Sequence, residues 1–162
     1  MAREYLIHAG GITVANAAVT LIFINPGTTC SIEILRVWCS QAANATSAQQ
    51  RIQFVTQVTA FPTVTSMTPS KTKLLDPVSQ IIGGTAGAAG TCGINASAEG
   101  GGSKTVIYND SFNVLNGFLY VTTPPETFIM NASAASGFGV HFPTAPATLT
   151  GWSFGLSYRE LG

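Results

Sequence analysis

Charge is what this sequence has least of. Only 9% of its 162 residues are Asp, Glu, Lys or Arg, against about 25% in a typical soluble domain. Seven acids balance seven bases, and no run of like charge occurs. That excludes an electrostatic footprint for nucleic acid or an anionic bilayer. Cysteine is also rare. Cys30, Cys39 and Cys92 are odd in number and lack metal-ligand spacing, so they read as buried free thiols. A Cys30–Cys39 bridge is the alternative; the extended chain between those positions spans about 30 Å, which opposes it. No apolar run reaches the roughly 20 residues of a membrane helix; the longest, 17–24, is broken by Thr20. The first eleven residues lack a signal peptide's apolar core, so residence in a cytoplasm is expected. Without export, the Asn-x-Ser/Thr triplets at Asn44, Asn95, Asn109 and Asn131 carry no meaning for glycosylation.

Apolar residues are plentiful, at 46%. They fall repeatedly into a two-residue alternation, the period of a strand. A chain this long suits one domain with a core large enough to need no metal or disulfide. A surface so poor in charge defends weakly against self-association. It suits a building block whose surface is covered by other subunits.

Residues 1–16 read as an N-terminal arm with one short strand, 5–8, before the Gly10-Gly11 break. Further strands are expected over 17–24, 30–39, 51–58, 105–109, 118–122, 127–131, 137–142 and 151–160. In the segment 30–39, Cys30, Ile32, Ile34 and Trp38 share one face, and Leu35, Val37 and Cys39 the other. The segment 151–160 is the most regular. Trp152, Phe154, Leu156 and Tyr158 alternate with Ser153, Gly155, Ser157 and Arg159, and the small-residue face leaves room for another backbone or sheet. Two short helical turns are expected at 69–75 and 77–81, each opened by proline behind a capping residue, Thr68 or Asp76. Residues 83–103 carry eight glycines and read as a long loop that spreads over a neighbour. The count of eight or nine strands, with no βαβ rhythm, predicts an all-β, two-sheet antiparallel sandwich, a jelly roll by preference.

Motifs for chemistry are weak. Gly151-Trp152-Ser153-Phe154-Gly155 fits G-x-S-x-G, yet a nucleophile elbow needs a strand-to-helix turn and a downstream histidine. Here the motif lies inside an alternating strand, and no histidine follows. Gly100 to Thr105 lacks the glycine spacing of a phosphate loop, and a strand rather than a helix follows. His8 and His141 have no Cys, Asp or Glu at ligand spacing. The acids form no close pair in sequence for a glycosidase dyad. Trp38, Trp152, Tyr108, Phe118, Tyr120 and Phe128 could stack on a sugar, but all fall in strands, where core or subunit interface is the default. No catalytic role, cofactor or metal is expected.

Three segments carry a resemblance. They are the run from Val19 through Asn25-Pro26-Gly27 to Trp38-Cys39-Ser40-Gln41, the strand from Gln50 to Gln57, and the terminal Gly151-Trp152-Ser153-Phe154-Gly155-Leu156-Ser157-Tyr158-Arg159-Glu160. Together with the Gly/Ala/Ser-rich insert they resemble small structural proteins of tailed bacteriophages, most closely the jelly-roll head decoration, or cement, proteins. The resemblance is one of pattern over most of the chain. It implies a virion protein on the capsid exterior, assembled in the host cytoplasm. Its partners would be the major capsid protein and further copies of itself, a homotrimer by preference, with no nucleic acid and no membrane. Candidate contacts are Arg3, Glu4, Tyr5 and His8 in the arm, Ile94 and Glu99 in the 83–103 loop, and Trp152 in the last strand. A fibre or lectin-like glycan-binding module is the alternative, and it predicts exposed aromatics on loops.

Overall fold

A computed structural model describes residues 3–43, 46–85 and 87–161. Thirteen strands follow one another, with no helix among the described residues. In chain order they are β1 (Arg3–Ile12), β2 (Val19–Asn25), β3 (Ser31–Gln41), β4 (Gln49–Val58), β5 (Thr63–Ser66), β6 (Ser70–Lys71) and β7 (Ile82–Gly83). There follow β8 (Thr91–Ala98), β9 (Ser103–Asn113), β10 (Phe118–Val121), β11 (Phe128–Met130), β12 (Ser136–Phe142) and β13 (Trp152–Leu161). The first sheet runs β10-β3-β13-β1-β6, with β11 also on β3. The second runs β5-β8-β2-β12-β4-β9, with β7 also on β8. All pairings are antiparallel except the short β7–β8 contact. The fold is an all-β sandwich of two antiparallel sheets.

The alternation of β13 explains the core. Trp152, Phe154, Leu156 and Tyr158 point inward and are fully buried. They meet Phe54, Phe138, Val140 and Phe142 of the second sheet within one hydrophobic cluster. Each large apolar side chain buried this way contributes about 1.5–3 kcal/mol. The face assignment expected for residues 30–39 changes midway. Ile32 and Ile34 are buried, but so are Val37 and Cys39, whereas Trp38 is only half-buried. A bulge causes the switch: Tyr158 pairs with Ile34 and Ser157 with Arg36, leaving Leu35 as the extra residue.

Three other expectations are corrected. The N-terminal arm is a full strand of the first sheet, paired with β13 along its length and with β6 at Tyr5 and Leu6. β1 lies between β13 and β6, and it sends Tyr5 and Ile7 fully into the core. The Gly10-Gly11 step is a register shift within β1 rather than its end. The helical turns are absent: β6 pairs with β1, Thr72 N donates to Glu4 O at 3.2 Å, and a tight turn joins Asp76 N to Lys73 O at 3.1 Å. The 83–103 loop holds β8, which pairs with β2 and buries Cys92, Ile94 and Ala96. All three cysteines are free and buried.

Candidate interaction surfaces

Each sheet has an outer face, and the two faces differ. On the second sheet, the Phe23 ring lies over Gly137, where a methyl group would collide with it. Phe61, from the segment after β4, then covers Phe23 at 5.4 Å between ring centroids. A polar clamp finishes the cover. Glu99, just past β8, accepts from Thr20 N and Thr20 Oγ1, both at 2.6 Å, and pairs with Lys104. His141 Nδ1 stands 3.3 Å from Thr20 Oγ1 and 3.5 Å from Glu99 Oε2. The Thr20 hydroxyl proton goes to Glu99, so its oxygen accepts from His141, which fixes the proton of neutral His141 on Nδ1. Desolvation alone pushes the Glu99 carboxyl up, but the hydrogen bonds from Lys104 and Thr20 prevail and hold it below its ordinary value. Desolvation, with Lys104 beside it, pushes His141 down. Gln57 Nε2 ties the same cover down through Ala60 O at 2.6 Å and Glu99 O at 3.0 Å.

Among the described residues the first sheet carries no such cover. Its cross-strand pairs set three rows on the outer face. One row is Leu119, Trp38, Gly155 and His8; the next is Val121, Arg36, Ser157 and Leu6. The third is Ile129, Glu33, Arg159 and Glu4. Trp38 lies over Gly155, the counterpart of Phe23 over Gly137, and the Arg36 guanidinium stands above it, 4.8 Å from the ring centroid. Arg159 donates to Glu33 and Glu4, each at 3.2 Å.

Apolar side chains are exposed at both edges of this sheet. At one edge, β10 and β11 meet β9 of the second sheet. Tyr108, Tyr120 and Phe128 gather there around buried Phe54, with Phe54–Tyr108 and Tyr108–Tyr120 both at 4.8 Å. Desolvation, reinforced by the Asp110 carboxylate, pushes the Tyr108 phenol up to about 12. Around these rings Val106, Ile107, Leu119, Val121 and Ile129 are exposed, Leu119 to 65%. At the other edge, the turn after β6 holds Leu74 and Leu75 at 91% and 97% exposure. Beside it is an apolar groove of ≈ 280 Å³ lined by Pro69, Val78, Ser79, Ile81 and Ile82, among others. Ser79 anchors that segment through Tyr158 Oη and Glu160 Oε1, both at 2.7 Å.

The expected contact residues scatter. Tyr5, Ile94 and Trp152 are core residues and present no surface: Tyr5 donates to Pro77 O, and Trp152 Nε1 to Thr148 O. Glu99 serves the internal clamp. Arg3 is half-buried opposite Glu160, Glu4 belongs to the Arg159 network, and only His8 is openly exposed. Composition could not single out Leu74, Leu75, Val106 or Leu119, because apolar residues in or near strands read as core. The one available signal was a Leu-Leu pair between Lys73 and Asp76 that fits no alternation. For chemistry the arrangement offers little. Ser153 sits within β13, and His141 is sequestered in the clamp. No group of three or more His, Cys, Asp or Glu able to hold a metal occurs among the described residues. No aromatic ring among them is fully exposed. No protein-family model matches this chain, and no curated protein and no solved structure is significantly similar to it.

Proposed function

We propose that this chain is a structural virion protein, a decoration or cement protein that binds the outside of a phage-type capsid and ties neighbouring capsomers together. The observation that carries the reading is the pair of exposed apolar patches at opposite edges of one sheet. Four strand spacings, about 19 Å, separate β10 from β6. A block with two separate adhesive edges and almost no charge is suited to bridging. Its contribution is mass action: a ligand that binds only the assembled shell stabilises that state. The strand order supports a jelly-roll reading. β10-β3-β13-β1 and β9-β4-β12-β2 interleave early and late strands in both sheets, as two nested Greek keys do. The partners on this reading are the major capsid protein and further copies of the chain, three by preference.

On this reading the turn bearing Leu74 and Leu75 grips the shell. Leucines this exposed gain apolar burial only from a partner. Capsids stripped of the protein are incubated with purified wild-type chain or with a Leu74→Ser/Leu75→Ser variant, then pelleted. Wild-type chain should co-sediment and raise the capsid's disassembly temperature, and the variant should bind on the order of 100-fold more weakly. Failure of wild-type chain to co-sediment, with glycan-array binding instead, would replace this reading with the glycan-binding one.

A further inference from the structure

We propose that the flank formed by β9, β10 and β11 is the surface through which copies of this chain associate with one another. This edge is where the sandwich is least closed. β9 is an eleven-residue edge strand paired only with β4, and most of its residues are exposed. An edge of that length leaves a row of backbone N–H and C=O groups without ladder partners. β9 is itself mostly polar, with Lys104 and Asp110 among its residues, but apolar side chains stand exposed on it and on its neighbours across the edge. Val106 and Ile107 on β9, Leu119 and Val121 on β10, and Ile129 on β11 are all exposed. Val106 faces outward on the second sheet and Leu119, Val121 and Ile129 on the first, and between the two sheets the half-buried rings of Tyr108, Tyr120 and Phe128 pack on one another.

Area and a net charge of zero both suit a second copy as the occupant. The two charges on β9 are already engaged within the chain, Lys104 by Glu99 and Asp110 by the Tyr108 hydroxyl at 2.9 Å. Net charge is zero, so two copies approach without repulsion. Eleven strand residues extend about 36 Å. The sandwich edge, two sheets with their outer side chains, is roughly 20 Å across. The product, on the order of 700 Å², approaches the roughly 800 Å² per partner of a stable interface. Aromatic rings flanked by aliphatic side chains also match the composition of interface centres.

The inference rests on the proposed function only for what the oligomer serves. It is tested on the purified full chain by light scattering over a concentration series. Three proteins are compared: wild type, Val106→Glu/Leu119→Glu, and Leu74→Ser/Leu75→Ser. Both substituted pairs are exposed, and far-ultraviolet circular dichroism checks that each variant folds. Wild type and the Leu74/Leu75 variant should be oligomeric at micromolar concentration. The Val106/Leu119 variant should dissociate with a constant raised on the order of 100-fold, because a carboxylate buried without a partner is strongly disfavoured. In wild type, β9 amides should gain hydrogen-exchange protection as concentration rises, a readout that needs no substitution. A monomeric wild type, an oligomeric Val106/Leu119 variant, or β9 exchange independent of concentration would overturn the inference. Dissociation by the Leu74/Leu75 pair instead would do the same. An oligomer lost through Val106 and Leu119 but indifferent to capsids would leave the inference standing and remove the decoration reading.

Discussion

The two outer faces of the sandwich solve the same packing problem in opposite ways. Each has an aromatic ring laid over a glycine, Phe23 over Gly137 and Trp38 over Gly155. On the second sheet the chain folds back after β4, seals Phe23 under Phe61 and fastens the seal with Glu99. On the first sheet Trp38 has Arg36 above it and stays half-exposed. The insertion between β4 and β9 thus works as an internal partner for one face, and among the described residues the other face has no such cover. A sheet face of mixed charge and isolated apolar groups tolerates water; the concentrated apolar edges are where association gains most.

The largest expected contrast comes from removing the two rings. Phe23→Ala should lower unfolding stability by about 3–5 kcal/mol, the usual cost of deleting a buried aromatic. Trp38→Ala should cost about 1 kcal/mol, since its ring is half in water and the cation–π contact is modest at such sites. Urea titrations of both variants measure the difference; equal losses would mean that the Trp38 face is as well sealed as the Phe23 face. A smaller contrast separates the charge networks. Glu99→Gln should cost about 1–3 kcal/mol, because Lys104 and Thr20 lose a partly buried, charged acceptor. Glu33→Gln, on the open face where Arg159 keeps Glu4, should cost less than about 1 kcal/mol. The same titrations rank the two.

The smallest expected effect is a pH dependence confined to the clamp. Both clamp groups are held below their ordinary values of 6.5 for His141 and 4.5 for Glu99. The unfolded chain therefore binds protons first, and stability rises with pH in both windows. Acidification should lower stability once as pH falls below 6.5 towards the depressed His141 value, and again below 4.5 towards that of Glu99. His141→Asn should flatten the upper step and leave the lower one, as read by thermal melts across pH. An unchanged upper step would assign it to a different group.

Sequence pattern made much of this fold legible, and the failures have local causes. All nine strands expected from alternation exist, from the strand around Tyr5 to the one ending near Glu160. The four that alternation missed, β5 to β8, lie together in one stretch. There the strands are very short or, in β8, carry a single large apolar side chain, Ile94, with Cys92, Gly93, Asn95 and Ala96 around it, too little to stand out from a loop composition. β1 was shortened because Gly10-Gly11 imitates a terminator. Leu35 misled because a bulge reverses face without any compositional mark. The interaction surface was less legible still. Burial at Tyr5, Ile94 and Trp152 and exposure at Leu74 and Leu119 depend on which strands become neighbours, and a single strand's pattern does not encode that.

The buried cysteines have a consequence for redox chemistry. Desolvation pushes the Cys92 thiol up to about 12, and pushes Cys39 and Cys30 up as well. A thiol titrating near 12 is about one part in 10⁵ thiolate at neutral pH, and the thiolate is the form that oxidants and maleimides attack. The three thiols of the folded chain should therefore react slowly with such reagents. The three thiols would then report unfolding, and a single cysteine engineered on the exposed edge could be tagged with little competition.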